Sequence, residues 1–381
     1  VGVLSYTLWS GFRASVLTDF AQLMAMMAVA ILIIPAVLFA LGGPQTLSDG
    51  MSLLTPEQAD LFSMDAILKQ GAPFFVAVLA YAIGNQTISQ RLFAVREDHI
   101  KPTFITATIG YGAIVIGLGM IGLMALMTGM KPIDGDMNNL IPQMVSMYLS
   151  PVFIGLFFIL VIGSLSSTAD SDLSAMSAIV MADVYGKNIA KNKPDPTKML
   201  FIGRLTMIVA TLIGVILASF SMDILIMLVF VGALWGAIVF PVIASCFWDR
   251  VTNLAFTSAV IAGLLMFCVA RFELLPMAGF IAVLFELLAA VGGGVVLGLM
   301  TFGFCGRRVG LIVGALSAIG LAFLCVGFLR DYTVLLASLM AYGVSTLVCI
   351  AVSLLGSSKF DFTQIDQNVI NYDPAKTEAQ A

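Results

Sequence analysis

Ser164, Ser167, Thr168 and Ser171 stand at i, i+3, i+4 and i+7 in the run LFFILVIGSLSSTADSDLSAMSAIVMADVYGK, so on a helix they share one face. A row of hydroxyl and carbonyl oxygens is half of a cage for a small hard cation. Small hydroxyl residues also let helices approach and bond back to their own carbonyls, which is the commoner meaning of a single Ser or Thr in a membrane. Here the density of hydroxyls, with Asp170 and Asp172 among them, favours an ion site. Asp19, in YTLWSGFRASVLTDFAQ, has two readings. It either caps a helix N-terminus, or faces Asp170 or Ser171 across a helix contact as a second cation ligand. The sequence leaves the two level.

A third feature is YAIGNQTISQR, Tyr81 to Arg91. Gly84 before Asn85 and Gln86 places a flexible backbone point and two amides near membrane depth, as in discontinuous helices that expose polar groups to a solute. Interhelical hydrogen bonding is the plainer alternative. Gln90 and Arg91 fit the headgroup level better than Asn85 and Gln86 do. Glu286 is the one acid deep in a late apolar span without polar companions, so a locally satisfied structural carboxyl is at least as good a reading as a functional one. Trp9, Trp235 and Trp248 read as packing or interface anchors.

The elements that must carry these groups are membrane helices. Of 381 residues, 60% are apolar and 10% charged, which excludes a soluble globular protein. A net charge of −4 provides no basic field for nucleic acid. One histidine, His99, and five cysteines without CxxC spacing argue against His-centred metal sites, a Ser-His-Asp triad and a disulfide framework. A hydrolytic enzyme is therefore disfavoured.

Runs long enough to cross a hydrocarbon core of about 30 Å fall at 18–42, 72–92, 103–129, 148–183, 199–221, 223–247, 252–271, 276–302, 308–329 and 332–356. A stub, Val1 to Trp9, precedes them. Val1 opens inside an apolar run with no initiator Met, which reads as a truncated chain. Gly186 to Lys198, containing KNIAKNKPDPTK, reads as a solvated loop. With alternating loops, 14 of the 18 Lys and Arg fall on one side, and the other keeps Lys69, Lys131, Arg271 and Arg330. By the positive-inside rule the side with fourteen is cytoplasmic, as is the C-terminus, in a bacterial-type inner membrane. The tail 357–381 is polar and short.

These residues resemble a known family. Tyr6 to Gln22 resembles the Y-[ST]-x-x-G-G-[LMF]-x-[AS]-x-x-x-T-D-x-x-Q signature of sodium:solute symporters. GNQTISQRLFA resembles that family's N-Q-x-x-x-Q-R segment, and Ser164 to Lys187 its S-[ST]-rich helix ending in D-[ILV]-Y. The resemblance implies an all-α polytopic bundle of the LeuT type, a five-plus-five inverted repeat. In that frame residues 1–42 end the first repeat, 72–247 form the second, and 248–356 are additional C-terminal helices. Core helices one to three would lie upstream of Val1. The resemblance further implies that Ser167 and Thr168 are paired hydroxyl ligands of a sodium site, with Ser164 offering its carbonyl. Asp19 would contribute to a second cation site with the helix of Ser167. Asp170 stands where relatives often have a hydroxyl, which either strengthens that second site or replaces it with a proton-linked one. Tyr81, Asn85 and Gln86 would approach the solute. Ser10 occupies the first Gly of the G-G pair, a small residue that should preserve close packing.

The function so implied is sodium-coupled import of a small polar organic solute across the bilayer, with Na+ as the co-transported ion and no nucleic-acid partner. No arginine stands at membrane depth to clamp an anion, which favours a neutral or zwitterionic solute. A proton-coupled carrier, a transporter-like sensor, and a membrane enzyme using Asp19 and Asp170 as a proton-sharing dyad are the competing classes. Fold alone does not choose among sugars, amino acids, urea, vitamins or carboxylates.

Overall fold

The computed structural model describes residues 2–60, 62–191, 195–220 and 224–363. Expectations that fall on 192–194 and on 364–381 of the tail lie outside the described residues. The described chain is helical, without a strand. Twelve principal helices carry the description. They are α1 Gly2–Ala40, α2 Ala72–Gly84, α3 Gln86–Ala94, α4 Ile100–Met127, α5 Leu140–Tyr148 and α6 Pro151–Ile179, then α7 Pro196–Ala218, α8 Ile224–Phe247, α9 Asn253–Arg271, α10 Gly279–Cys305, α11 Arg307–Cys325 and α12 Thr333–Leu355.

Among the described residues ten helical segments are long and apolar enough to cross a membrane, and each overlaps one run in the sequence, the second as Met64–Gly84, which begins eight residues ahead of the expected 72–92. The chain is an all-α polytopic membrane protein. Backbone groups have no water to bond in hydrocarbon, so intrahelical bonding is enforced wherever apolar length suffices. Local chemistry then sets the boundaries. Pro151 and Pro196 sit in first turns, where the missing N–H costs nothing. Thr252 caps α9 by accepting from Ala255 N, and Asp195 caps α7 by accepting from Thr197 N.

Two further boundaries differ from expectation. The stub and the first span are one helical run, α1, bent at Gly11 (φ 54°, ψ −135°). The stretch expected to be loop from Gly186 begins as helix instead, because α6 continues as a π-type turn over Val180–Ile189. The shift to i→i+5 bonding carries the polar DVYGK end onward without breaking the axis.

The helices form two compact units. One comprises the described parts of 1–61 and 86–224, with α1 and α3 to α7; the other comprises those of 62–85 and 225–381, with α2 and α8 to α12. In the first, Val29, Ile33 and Val37 of α1 are buried with Ile121 and Ala125 of α4, Met144 of α5 and Leu160 of α6. In the second, Phe267 of α9, Phe285 and Ala289 of α10, and Leu336, Met340 and Tyr342 of α12 form the core. The Tyr342 hydroxyl donates to the Val76 carbonyl of α2 at 2.9 Å, so its buried polar tip is satisfied.

The second unit is tightest along α10 and α11. Gly294 and Gly298 of α10 face Gly310 and Gly314 of α11, two small-xxx-small patterns meeting one another. A Cβ on Gly294 would come 2.6 Å from the Gly314 carbonyl oxygen. Lipid tails are as apolar as side chains, so association here rests on close backbone approach rather than on burial.

Candidate functional site

The first unit encloses a polar network where α1, α3 and α6 meet. Asp170 of α6 is wholly buried. Its Oδ1 accepts from Ser15 Oγ at 2.8 Å, and its Oδ2 accepts from the Tyr6 hydroxyl at 2.6 Å and from Thr18 Oγ1 at 3.0 Å. The Gln22 side chain is also within hydrogen-bonding reach of the Tyr6 hydroxyl. Gln22 Oε1 is buried with no hydrogen-bond partner among the described residues.

Asp19 is one position from Thr18 and turns to a different set. Ser167 Oγ donates to its Oδ1. Arg91 Nη2 of α3 lies 2.8 Å from its Oδ2, with the carboxylate side chain only 19% exposed. The same guanidinium nitrogen donates to Ser171 Oγ at 2.6 Å, and Ser171 Oγ in turn donates to the Ser167 carbonyl at 2.7 Å. Ser171 thereby lies between the two acids, 3.3 Å from Asp170 Oδ1 and 3.5 Å from Asp19 Oδ2. No hydrogen bond joins the carboxylates directly among the described residues, so the geometry is not that of a proton-sharing dyad.

Of the two readings of Asp19, the helix cap is excluded. Asp19 lies two turns beyond the Gly11 bend, inside a candidate span, and faces α6, so it caps no helix. The structure adds Arg91 to the set, because its guanidinium belongs to the network. The signal for it was the Q-R pair that ends the α3 motif. Tyr6, Thr18 and Gln22 were likewise quoted as signature positions without a role, and all three gather around Asp170.

Of the expected cation ligands, Asp19, Ser167, Asp170 and Ser171 come together. Ser164 and Thr168 do not join them. Both are exposed on α6, and Thr168 Oγ1 donates to the Ser164 carbonyl at 3.2 Å. At about 100° per residue the hydroxyl stripe is wide, and contact with α1 takes only the side that holds Ser167, Asp170 and Ser171.

The expected break near Gly84 is present. Asn85 separates α2 from α3 with extended backbone (φ −84°, ψ 123°), its N–H donating to the Tyr81 carbonyl at 3.0 Å. Tyr81 and Asn85 belong to the second unit, whereas Gln86 opens the part of the first that carries Arg91. Within the second unit Tyr81 packs on Trp235, ring centroids 4.7 Å apart. Trp235, expected as a packing residue, is therefore a neighbour of an expected solute contact.

The expectation that Ser10 preserves close packing rests on a side chain outside the described residues, whereas Gly11, the second position of the pair, is described. A Cβ there would meet nothing within 4 Å among the described residues, so packing is not what the position requires. Its positive φ is, because an L side chain is strained in that region.

Glu286, in the second unit, is the locally satisfied carboxylate of the structural reading. It is fully buried in α10, and Arg330 grips it with Nε at 3.1 Å and Nη2 at 3.0 Å. Gly327 N and Arg330 N donate to it at 2.9 and 3.2 Å. This bond in turn raises the pKa of the Arg330 guanidinium, which stays charged at any ordinary pH.

Comparison with known proteins gives consistent relatives. The chain is 24% identical over 264 residues to a sodium/pantothenate symporter of Haemophilus influenzae, covering 68% of this chain and 54% of that protein. It is 25% identical over 275 residues to the high-affinity proline transporter PutP of Bacillus subtilis, covering 68% and 56%. A sodium/proline symporter of Staphylococcus aureus is 24% identical over 278 residues, covering 69% and 52%. The chain spans about half the length of the curated relatives it matches. No solved structure matches it. The model of the sodium:solute symporter family matches residues 1–263, which takes in the Asp19, Arg91 and Asp170 network entire, and the chain belongs to that family.

Proposed function

We propose that the protein is a sodium-coupled symporter that imports a small polar organic solute by alternating access. The observation that carries this reading is the charge count of the polar network. Among the residues hydrogen-bonded into the network, with both carboxylates ionised, Asp19 and Asp170 exceed Arg91 by one negative charge, at a depth where an uncompensated charge is expensive; Asp172, exposed on α6, stands outside this count. A monovalent cation removes the excess. Asp19, Ser167, Asp170 and Ser171 then supply oxygens for one ion, and Ser167, Thr168 and the Ser164 carbonyl contribute to another with ligands from further helices. Relatives named for pantothenate and proline support a small organic solute, and Tyr81, Asn85 and Gln86 are the residues we assign to it. Because Arg91 is committed to Asp19, a neutral or zwitterionic solute suits this set better than an anion.

Sodium entering down its gradient shifts the population toward the solute-binding conformation, and solute raises sodium affinity equally. We assign 1–42 and 72–247 to the two repeats of a LeuT-type core and 248–356 to additional helices. The side carrying fourteen basic residues, with the C-terminus, is assigned to the cytoplasm of a bacterial-type inner membrane. One observation favours a second reading. Asp170 is wholly buried among hydroxyls, and a proton on it would cancel the same excess charge.

The test is thermal unfolding of the full-length protein in detergent, in sodium chloride and in choline chloride at equal ionic strength. A ligand that binds only the folded state raises the midpoint. Sodium is expected to raise it in wild type and much less in Thr168→Ala, with the choline midpoint unchanged. Equal midpoints in both salts across a wide concentration range would overturn sodium coupling in favour of the proton-linked carrier.

A further inference from the structure

A cavity of about 550 Å³ lies wholly within the second unit, between the ends of α8, α10, α11 and α12. Its walls are apolar over most of their length. It runs along α10 from Val291 to Phe302 and along α11 from Ala318 back to Arg307, eleven residue steps in each case. At 1.5 Å per residue each wall is about 16 Å long, close to half of a hydrocarbon core of about 30 Å. The groove is therefore one leaflet deep. Gly294, Gly298, Gly310 and Gly314 are among its lining residues, so the close α10–α11 contact forms part of its wall.

One end of the groove is built differently. Arg307 lines it there, and Trp248, an interface-type residue, stands beside it. Arg307 and Arg308 are exposed, and neither has an ion pair among the described residues. They occupy the first turn of α11, a helix of 19 residues whose N-cap, Gly306, provides no side chain to cap it. The opening N–H groups of α11 are thus left unbonded beside two guanidinium groups. Free helix N–H groups and arginine together make an anion site. An apolar slot one leaflet deep that ends in an anion site matches a single class of molecule.

We propose that this groove holds an anionic phospholipid, with an acyl chain lying along the glycine seam and the phosphate at Arg307, Arg308 and the α11 N-terminus. With the orientation assigned above, the lipid comes from the cytoplasmic leaflet. A free phosphate would leave the apolar walls unused. The groove is separate from the ion network, so this site stands or falls independently of sodium coupling.

The experiment is native mass spectrometry of the full-length protein in detergent without sodium, titrated with phosphatidylglycerol or phosphatidylcholine. Wild type is expected to retain phosphatidylglycerol about tenfold more tightly than phosphatidylcholine. Arg307→Gln combined with Arg308→Gln should bring the two lipids within about twofold of one another. Ala315→Phe, which places a ring in the groove from an exposed position, should reduce retention of both. Inorganic phosphate at millimolar concentration should not displace the lipid. Equal retention of both lipids by wild type, or undiminished phosphatidylglycerol in the double variant, would overturn the proposal. So would displacement by phosphate alone. The two arginines are solvent-facing, so the double variant folds and its result is decisive.

Discussion

Two buried carboxylate sites, one in each compact unit, are built from similar parts to opposite effect. Glu286 has one guanidinium with two contacts and two backbone N–H donors, and its charge is cancelled within its own surroundings. Asp19 has one guanidinium and Asp170 has none at bonding distance among the described residues, and both are otherwise met by hydroxyls, whose oxygens accept as well as donate. A saturated site holds α10 to the chain segment before α12 and has nothing left to bind. An unsaturated one keeps both oxygen lone pairs and a net charge, which is what a cation needs. An acid at membrane depth is therefore informative only once its neighbours have been counted.

The contrast can be broken most forcefully at Glu286. Glu286→Gln should lower unfolding stability more than either of the other variants, because the fully buried carboxylate loses its charge-assisted bonds to Arg330 and to two backbone N–H groups. The sodium-induced rise in midpoint should nevertheless persist, as read by scans in sodium and choline. Asp19→Asn should do the reverse. A sodium titration of the midpoint should need at least about tenfold more sodium, equivalent to about 1.4 kcal/mol of binding, while stability in choline changes less than in Glu286→Gln. The smallest effect is expected at the hydroxyl shell. Tyr6→Phe removes one donor to Asp170 and should cost about 1 kcal/mol in either salt. An equal loss of sodium response in Glu286→Gln would erase the distinction between the two sites.

Much of this was legible in the sequence where the information is local. Span positions follow from apolar run length, and the break at Asn85 follows from Gly84 and the amides behind it. The approach of Asp19 to the Ser167 face was available as one of two readings. The partners of each acid were not legible, because periodicity reports which face a residue occupies and says nothing of what lies opposite. Arg330 reaches Glu286 from 44 residues away, out of a loop counted only for its charge. Arg91 reaches Asp19 and Ser171 through a long side chain, which can carry its head well away from its Cα. The split of the hydroxyl stripe, with Ser164 and Thr168 outside the network, depends on the angle at which α1 crosses α6. Sequence pattern does not specify that angle.

The bend at Gly11 has a geometric consequence for Asp170. Tyr6 and Thr18 are twelve residues apart, so on a straight helix their α-carbons would be separated by about 18 Å along the axis. No single carboxylate oxygen could be reached from both. Yet both bond Oδ2 of Asp170, which requires the first turns of α1 to fold back over the following ones. Gly11 acts as an elbow, and it shortens the reach that a tyrosine must cover to close the far side of the network.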